Sequence, residues 1–347
     1  MSMSGVKRGL ALGTAAVSLG MLAAPPIIRR MDHKRSRGTE SGPCGPAGGE
    51  VIEGIRSRDG TPLHVERCGE RGPTIFFVHG WTCSGDIFRH QVAFLRDRYR
   101  IITLDLRGHG MSSMPASKDL STERLAEDLK AVIDAVDPDE FVIAGHSMGG
   151  FTTFKFHEFF GKDYEGRLKG LVIIDSTGTD AMEGLYMGRL TSVLYPFPLS
   201  NLLRLGGIKS RLSEGVKDWL GRTSYGYMII RWAAFGKKPP AEIVEWHREI
   251  TFATPLPVIS LALKAIFDYH AEHHLRDVDV PVLVLVGSED KLTSERTNRR
   301  TCELLPDARL VVYRNAGHST YLERIEEFNA EMDGFLAQCF VGRGVSD

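Results

Sequence analysis

The stretch Phe141-Val-Ile-Ala-Gly145-His146-Ser147-Met148-Gly149-Gly150 puts a serine among glycines, where an apolar run gives way to a helical pattern. A serine hydroxyl is a weak nucleophile until a base takes its proton, and a sharp strand-to-helix turn presents it to base and substrate together. Gly145 and Gly149 lack the Cβ atoms that would collide in so tight a turn. The Met148 N–H then stands at a helix start, where it is available to an oxyanion. The chemistry open to such a serine is attack on an acyl carbon. G-x-S-x-G also occurs as an ordinary glycine-rich turn, so the surrounding elements decide.

Apolar, β-branched and aromatic runs bounded by turn residues mark strands. They fall at Val51–Ser57, Pro62–Cys68, Thr74–Val78, Arg100–Asp105, Phe141–Gly145, Leu168–Asp175, Val282–Val286 and Arg309–Tyr313. The later runs are almost continuously apolar, as parallel strands covered on both faces must be. Ser121–Val136 carries Leu125, Leu129, Val132, Ile133 and Val136 at a period near 3.6, a helix. Similar patterns cover Met148–Phe160, Glu295–Leu305 and Tyr321–Ala337. Alternating strands and helices predict an α/β fold with a mostly parallel sheet. Residues 178–275 break the rhythm with helix-like stretches holding Trp219, Tyr225, Tyr227 and Trp232. That is too long for a structureless loop and reads as a helical cap over the active-site edge. The expected division is an N-terminal segment at 1–50, a core at 51–177 and 276–347, and a cap at 178–275.

The 347 residues suffice for a large core, and 42% hydrophobic with 25% charged is ordinary for a folded body. A formal net charge of -1 offers no global field for nucleic acid. Cys44, Cys68, Cys83, Cys302 and Cys339 form neither a disulfide frame nor a CxxC metal site, which fits a reducing compartment slightly better.

Lys7 and Arg8 precede an uncharged run at residues 9–28, which Arg29, Arg30, Lys34, Arg35 and Arg37 follow. As a helix this run is about 30 Å long, the thickness of a bilayer core. Three readings stay open: an uncleaved anchor, a cleaved signal peptide, or a disordered leader. Leu22-Ala23-Ala24 before Pro25 and Pro26 is a poor cleavage site, and the Arg29-Arg30 pair follows the run instead of preceding it. The heavier positive flank lies on the C-terminal side, which puts the body of an anchored protein in the cytoplasm. Gly9 and Gly13 form one GxxxG, a weak helix-pairing signal. Gly38–Gly49 reads as a flexible linker.

From Val51 to Ala337 the chain resembles the α/β-hydrolase superfamily, in motif order as well as content. Phe77-Val-His79-Gly80-Trp81 looks like that family's oxyanion loop, and Asp105-Leu-Arg107-Gly108-His109-Gly110 like its structural turn. The resemblance implies an eight-stranded sheet with one antiparallel pair, a cap inserted after the sixth strand, and a triad in the order serine, acid, histidine. Of twelve histidines, His318 sits in the short glycine-bearing loop between last strand and last helix, where the family keeps its base. Asp290 follows the strand Val282–Val286, where a carboxylate accepts the second imidazole N–H. Two rivals stand nearby: Glu289, adjacent but expected to point elsewhere, and Asp175, where some members place their acid. The oxyanion hole falls to the backbone N–H groups of Met148 and Trp81. His79 reads as a structural histidine.

His270, His273 and His274 have helical spacings but lack a completing carboxylate or thiolate, so they read as a solvated helix end. Cys83 reads as a packed small side chain, and no metal or organic cofactor is implied. The expectation is an esterase acting on a small-molecule ester with an apolar or lipid-like acyl group, with no evident protein partner. Acyl transfer, thioester or amide cleavage and cofactor-free chemistry on a non-ester use the same triad. A receptor-like binder on the same fold is a third class. Epoxide hydrolases and haloalkane dehalogenases are disfavoured, because the resembling families there place aspartate at the elbow.

Overall fold

A computed structural model describes residues 25–34, 48–180 and 211–340. Most of the apolar run, Arg35, Arg37, Cys44 and residues 181–210 of the expected cap lie outside the described residues.

Eight strands form one sheet: β1 (Glu50–Val51), β2 (Val65–Cys68), β3 (Thr74–Val78), β4 (Arg100–Leu104), β5 (Phe141–His146), β6 (Leu168–Ile174), β7 (Val282–Gly287) and β8 (Ala308–Tyr313). Their order is β1-β2-β4-β3-β5-β6-β7-β8. From β4 to β8 every pair is parallel. One antiparallel pair was implied, but two are present: β2 runs against both β1 and β4. The reason is where the first hairpin inserts. The chain reverses through a turn at Asp59-Gly60, and the returning β2 inserts beside β4 in the opposite sense. That turn and the single bridge Arg56–Pro62 also shorten the strands expected at Val51–Ser57 and Pro62–Cys68.

Strand alternation sorts the core onto the two faces of the sheet. Phe76, Val78, Ile102, Ile143, Ile173 and Val284 join one buried cluster. Their chain neighbours Ile75, Phe77, Ile101, Val142, Val172 and Leu283 join the other. On the first face lies α3 (Thr122–Val136), through Leu125, Leu129, Val132 and Ile133. The second is covered by α2 (Arg89–Leu95) and by the C-terminal helix α11 (Ile325–Cys339). Helix α2 and the turn Gly85–Phe88 before it had no counterpart in the sequence reading. Helix α9 (Glu295–Leu304) follows β7, while the last helix differs, because Thr320–Glu323 (α10) is separated from α11 at Arg324.

Between β6 and β7 the described chain is helical: α5 (Arg211–Arg222), α6 (Ser224–Ala234), α7 (Ala241–Ala253) and α8 (Leu256–Phe267). These helices dock onto the sheet domain by specific polar contacts. The Trp81 indole donates to the Ile259 carbonyl at 3.0 Å. The Arg89 guanidinium lies 3.6 Å from the centre of the Trp246 ring. Residues 25–34 are helical (α1) and pack on this same layer. Arg29 pairs with Glu245 at 2.6 Å, and Asp32 accepts from Arg231 at 2.6 Å and from the Tyr227 hydroxyl at 2.9 Å. No single helix among the described residues is long and apolar enough to cross a membrane.

The Asp105–Gly110 turn is built around a buried cation. Arg107 is 0% exposed and forks onto both carboxylate oxygens of Asp128 at 2.6 Å, with Ser57 at 2.9 Å and Asp59 at 3.1 Å. Truncating one partner strands the other charge in the core, at a cost of about 3–5 kcal/mol. Arg107→Ala is therefore expected to lower the unfolding free energy by that amount. A denaturation midpoint unchanged from wild type would contradict it.

Candidate active site

Ser147 joins β5 to α4 (Met148–Phe160) with φ 52° and ψ -118°. A side chain at positive φ away from the usual left-handed well holds strain of roughly 1–3 kcal/mol, which persists only where packing over-determines it. Here the packing does so. A Cβ on Gly145 would strike the Gly149 carbonyl and Thr153, and one on Gly149 the carbonyls of Val78 and His79. The Ser147 N–H is tied to Ile174 O at 2.9 Å, and its own carbonyl accepts from the Ser176 hydroxyl at 2.7 Å. Serine at a helix N-cap normally spends its hydroxyl on the helix. Ser147 makes no such cap bond, so its Oγ is not consumed by the fold.

The loop after β8 carries His318, and the loop after β7 carries Asp290. They meet with Nδ1 2.8 Å from Oδ2. Both residues are buried. The Asp290 carboxylate is saturated from its own loop: Leu292 and Thr293 N–H groups donate to Oδ1 at 2.8 and 2.9 Å, and the Thr293 hydroxyl to Oδ2 at 2.9 Å. Facing a carboxylate, Nδ1 must carry the proton, which leaves Nε2 as the basic nitrogen. Burial works to lower the His318 pKa, but the Asp290 charge and hydrogen bond, helped by Asp175, outweigh it; the net shift is upward.

Both rivals for the acid point elsewhere. Glu289 pairs with Lys237 at 2.7 Å. Asp175 is fully buried at the end of β6 and accepts from Gly287 N–H at 3.2 Å and from the Thr320 N–H and hydroxyl at 2.9 and 2.8 Å. Burial and the nearby Asp290 charge push its carboxyl up to about 8. Asp175 thus braces the strand ends under the histidine loop, where a neutral carboxyl serves.

His146, the variable position of the elbow, went unread in the sequence. Its Nε2 donates to the His318 carbonyl at 2.9 Å, and the two rings lie 5.1 Å apart. The residue beside Ser147 therefore supports the backbone of the histidine loop. Its Nδ1 has no partner among the described residues and lies against Gly80, whose missing Cβ would also touch the Ser147 Cβ. Gly80 thereby brings the His79–Trp81 loop into contact with the elbow. His79 is structural: Nε2 accepts from the Leu106 N–H at 2.9 Å and Nδ1 bonds Gly80 O at 2.7 Å. Burial holds its pKa down at about 4, so the ring stays neutral. Cys83 is buried too, and its thiol is pushed up to about 12.

Two of the three histidines set aside above find partners of their own. His274 shares a 2.9 Å contact with His157, and His273 bonds Glu158 at 2.9 Å.

An eight-stranded sheet with a serine elbow between the fifth strand and a helix, an acid after the seventh and a histidine after the eighth defines a known class. A family model of the α/β-hydrolase fold matches residues 73–325, and the chain belongs to that family. It is an enzyme of the esterase-like kind. It is 23% identical to the non-heme chloroperoxidase CPO-A1 of Kitasatospora aureofaciens, over 81% of this chain and 98% of that protein. It is 25% identical to the pimeloyl-[acyl-carrier protein] methyl ester esterase of Aeromonas hydrophila, over 79% of this chain and 99% of that one. Among solved structures, a bacterial membrane phospholipase A superposes with a TM-score of 0.67 at 20% identity, covering 98% of this chain and 100% of that one. At that identity the likeness speaks for the fold alone.

Proposed function

We propose that this chain hydrolyses a carboxylic ester, with Ser147 as nucleophile, His318 as general base and Asp290 as its orienting acid. The observation that carries the reading is the 2.8 Å contact of His318 Nδ1 with Asp290, where the His318 carbonyl also bonds His146 of the strained elbow. In the reaction, Nε2 takes the hydroxyl proton as Oγ bonds the acyl carbon, and the N–H groups of Met148 and Trp81 receive the oxyanion. The imidazolium then protonates the departing alcohol. Water, deprotonated by the same nitrogen, releases the acid and frees the serine. Likeness to a methyl ester esterase supports an ester substrate.

The acyl group in this reading is apolar. The cap presents Val216, Trp219, Ile229 and Trp232 to the outside, and α1 adds Ile27 and Met31. Exposed apolar residues concentrated on one layer mark a surface that meets apolar material. Each methylene buried in the acyl site is worth about 0.8 kcal/mol, roughly fourfold in kcat/KM. On p-nitrophenyl esters from acetate to octanoate, kcat/KM is expected to climb accordingly. A flat series, or no turnover, would sink the proposal.

The same reading holds the body at a membrane, on its cytoplasmic side, through residues 9–28. Its support is that the last four residues of the run, 25–28, open α1, which is clamped to the cap by Arg29–Glu245 and Asp32–Arg231. The full chain is expected to float with anionic vesicles, and a chain beginning at residue 29 to stay in the soluble fraction. Equal flotation of the two would refute the anchor, and an N-terminus found at residue 25 in cells would favour export after cleavage.

A further inference from the structure

The cap backbone and the histidine loop cross at contact distance, where two glycines meet. A Cβ on Gly236 would strike the Asn315 carbonyl, and one on Gly317 the backbone of Phe235 and Gly236. The Glu323 side chain lies across this crossing. Its Oε1 accepts from the Gly317 N–H at 2.7 Å and from the Gly236 N–H at 3.1 Å, while Oε2 reaches the Gly236 N–H at 3.0 Å. One carboxylate thus holds both the residue before His318 and the cap chain just past α6.

The other ties from the cap end on neighbouring site loops. Lys291, next to Asp290, donates to the Trp232 carbonyl at 2.9 Å. Lys237, next to Gly236, pairs with Glu289. The indole of Trp81 holds α8. A glycine-bearing loop has little intrinsic stiffness, so the direction of the imidazole depends on what grips it. Of these ties, only Glu323 grips the His318 loop itself.

We propose that Glu323 is a positioning residue, whose carboxylate clasps Gly236 of the cap to Gly317 and so holds the His318 imidazole in its working place. The clasp makes the base competent when the cap is docked, coupling substrate enclosure to activation of the nucleophile. It rests on the reading of His318 as the base for Ser147. Burial pushes the Glu323 carboxyl up to about 7, while the N–H groups of Gly317 and Gly236 pull the other way by bonding its charged form. A general base displaced by about 1 Å loses on the order of a hundredfold in rate.

Two variants separate reach from charge. Glu323→Asp keeps the charge but is one methylene too short to span both N–H groups. Glu323→Gln loses the charge but keeps an acceptor at the Oε1 position. The full-length protein is treated with a fluorophosphonate, and the labelling rate of Ser147 is compared with the melting temperature. The downfield proton resonance of the His318 Nδ1–H is recorded in parallel. Glu323→Asp is expected to label about tenfold or more slower, with a broadened resonance and little change in melting. Glu323→Gln is expected to stay within about threefold of wild type and to keep a sharp resonance. Wild-type labelling by the aspartate variant, or an equal loss in both, overturns the clasp while leaving the serine reading intact. A wild-type protein that does not label at all overturns both.

Discussion

Asp290→Asn is expected to lower kcat/KM for an ester about ten-thousandfold, whereas Asp175→Asn stays within about tenfold of wild type. The two residues sit at the ends of adjacent strands and both influence His318 electrostatically. Geometry separates them. Asp290 alone bonds the imidazole, so its amide would turn a donor toward Nδ1 and favour the wrong tautomer. Asp175 serves backbone and Thr320 donors, and burial with the Asp290 charge pushes its carboxyl up to about 8. An amide there keeps one oxygen to accept a backbone N–H and leaves the Asp290–His318 contact untouched. The pH profile carries a second signature. Activity needs neutral His318, so kcat/KM falls as pH drops through its pKa, which lies above the ordinary 6.5. Removing the Asp290 charge removes the main upward pull, and whatever activity remains should keep its acid limb at lower pH. Equal losses in the two asparagine variants, measured at saturating and limiting ester, would contradict this division of roles.

The second large effect is at the elbow. Ser147→Ala should cost roughly a millionfold in kcat, the scale on which a triad nucleophile acts as part of a unit. Stability should move the other way for one replacement. Ser147→Gly relieves a positive φ that only glycine adopts freely, and should raise the unfolding free energy by about 1 kcal/mol while abolishing turnover. Activity and stability would thus part company at one side chain, as expected where strain is kept for function. Loss of folding in the alanine variant would speak against the account, since no cap bond from the hydroxyl supports the helix.

The parts of this architecture legible in the sequence were those written in local pattern. The strands from β3 to β8 are apolar runs with turn residues at each end, and α4 opens on the glycines of the elbow. What escaped had no local signature. Helix α2 is only seven residues long and opens on Arg89-His90-Gln91, so nothing polar or apolar marks it out. The break at Arg324 has neither glycine nor proline to announce it. The second antiparallel pair depends on where a hairpin inserts, which is a choice made by the whole sheet. His146 and Glu323 act by reaching residues 172 and 6 positions away, and their side chains would read as well in a dozen other roles. Asp290 could be preferred over Asp175 only by resemblance, until the contact at His318 Nδ1 gave the preference a physical basis. The cap was legible as helical but not as a brace, because its ties to Glu323, Lys291 and Trp81 are made by its backbone groups, which look alike in every sequence.

The most direct test is mass spectrometry of the protein after fluorophosphonate treatment. In the proposed mechanism Oγ of Ser147 bonds phosphorus, fluoride departs, and His318 takes the hydroxyl proton, so one adduct should map to the peptide holding residue 147. It should vanish in Ser147→Ala and form at least about a thousandfold more slowly in His318→Ala. An adduct on any other side chain, or an unlabelled folded protein that still cleaves esters, would contradict the account.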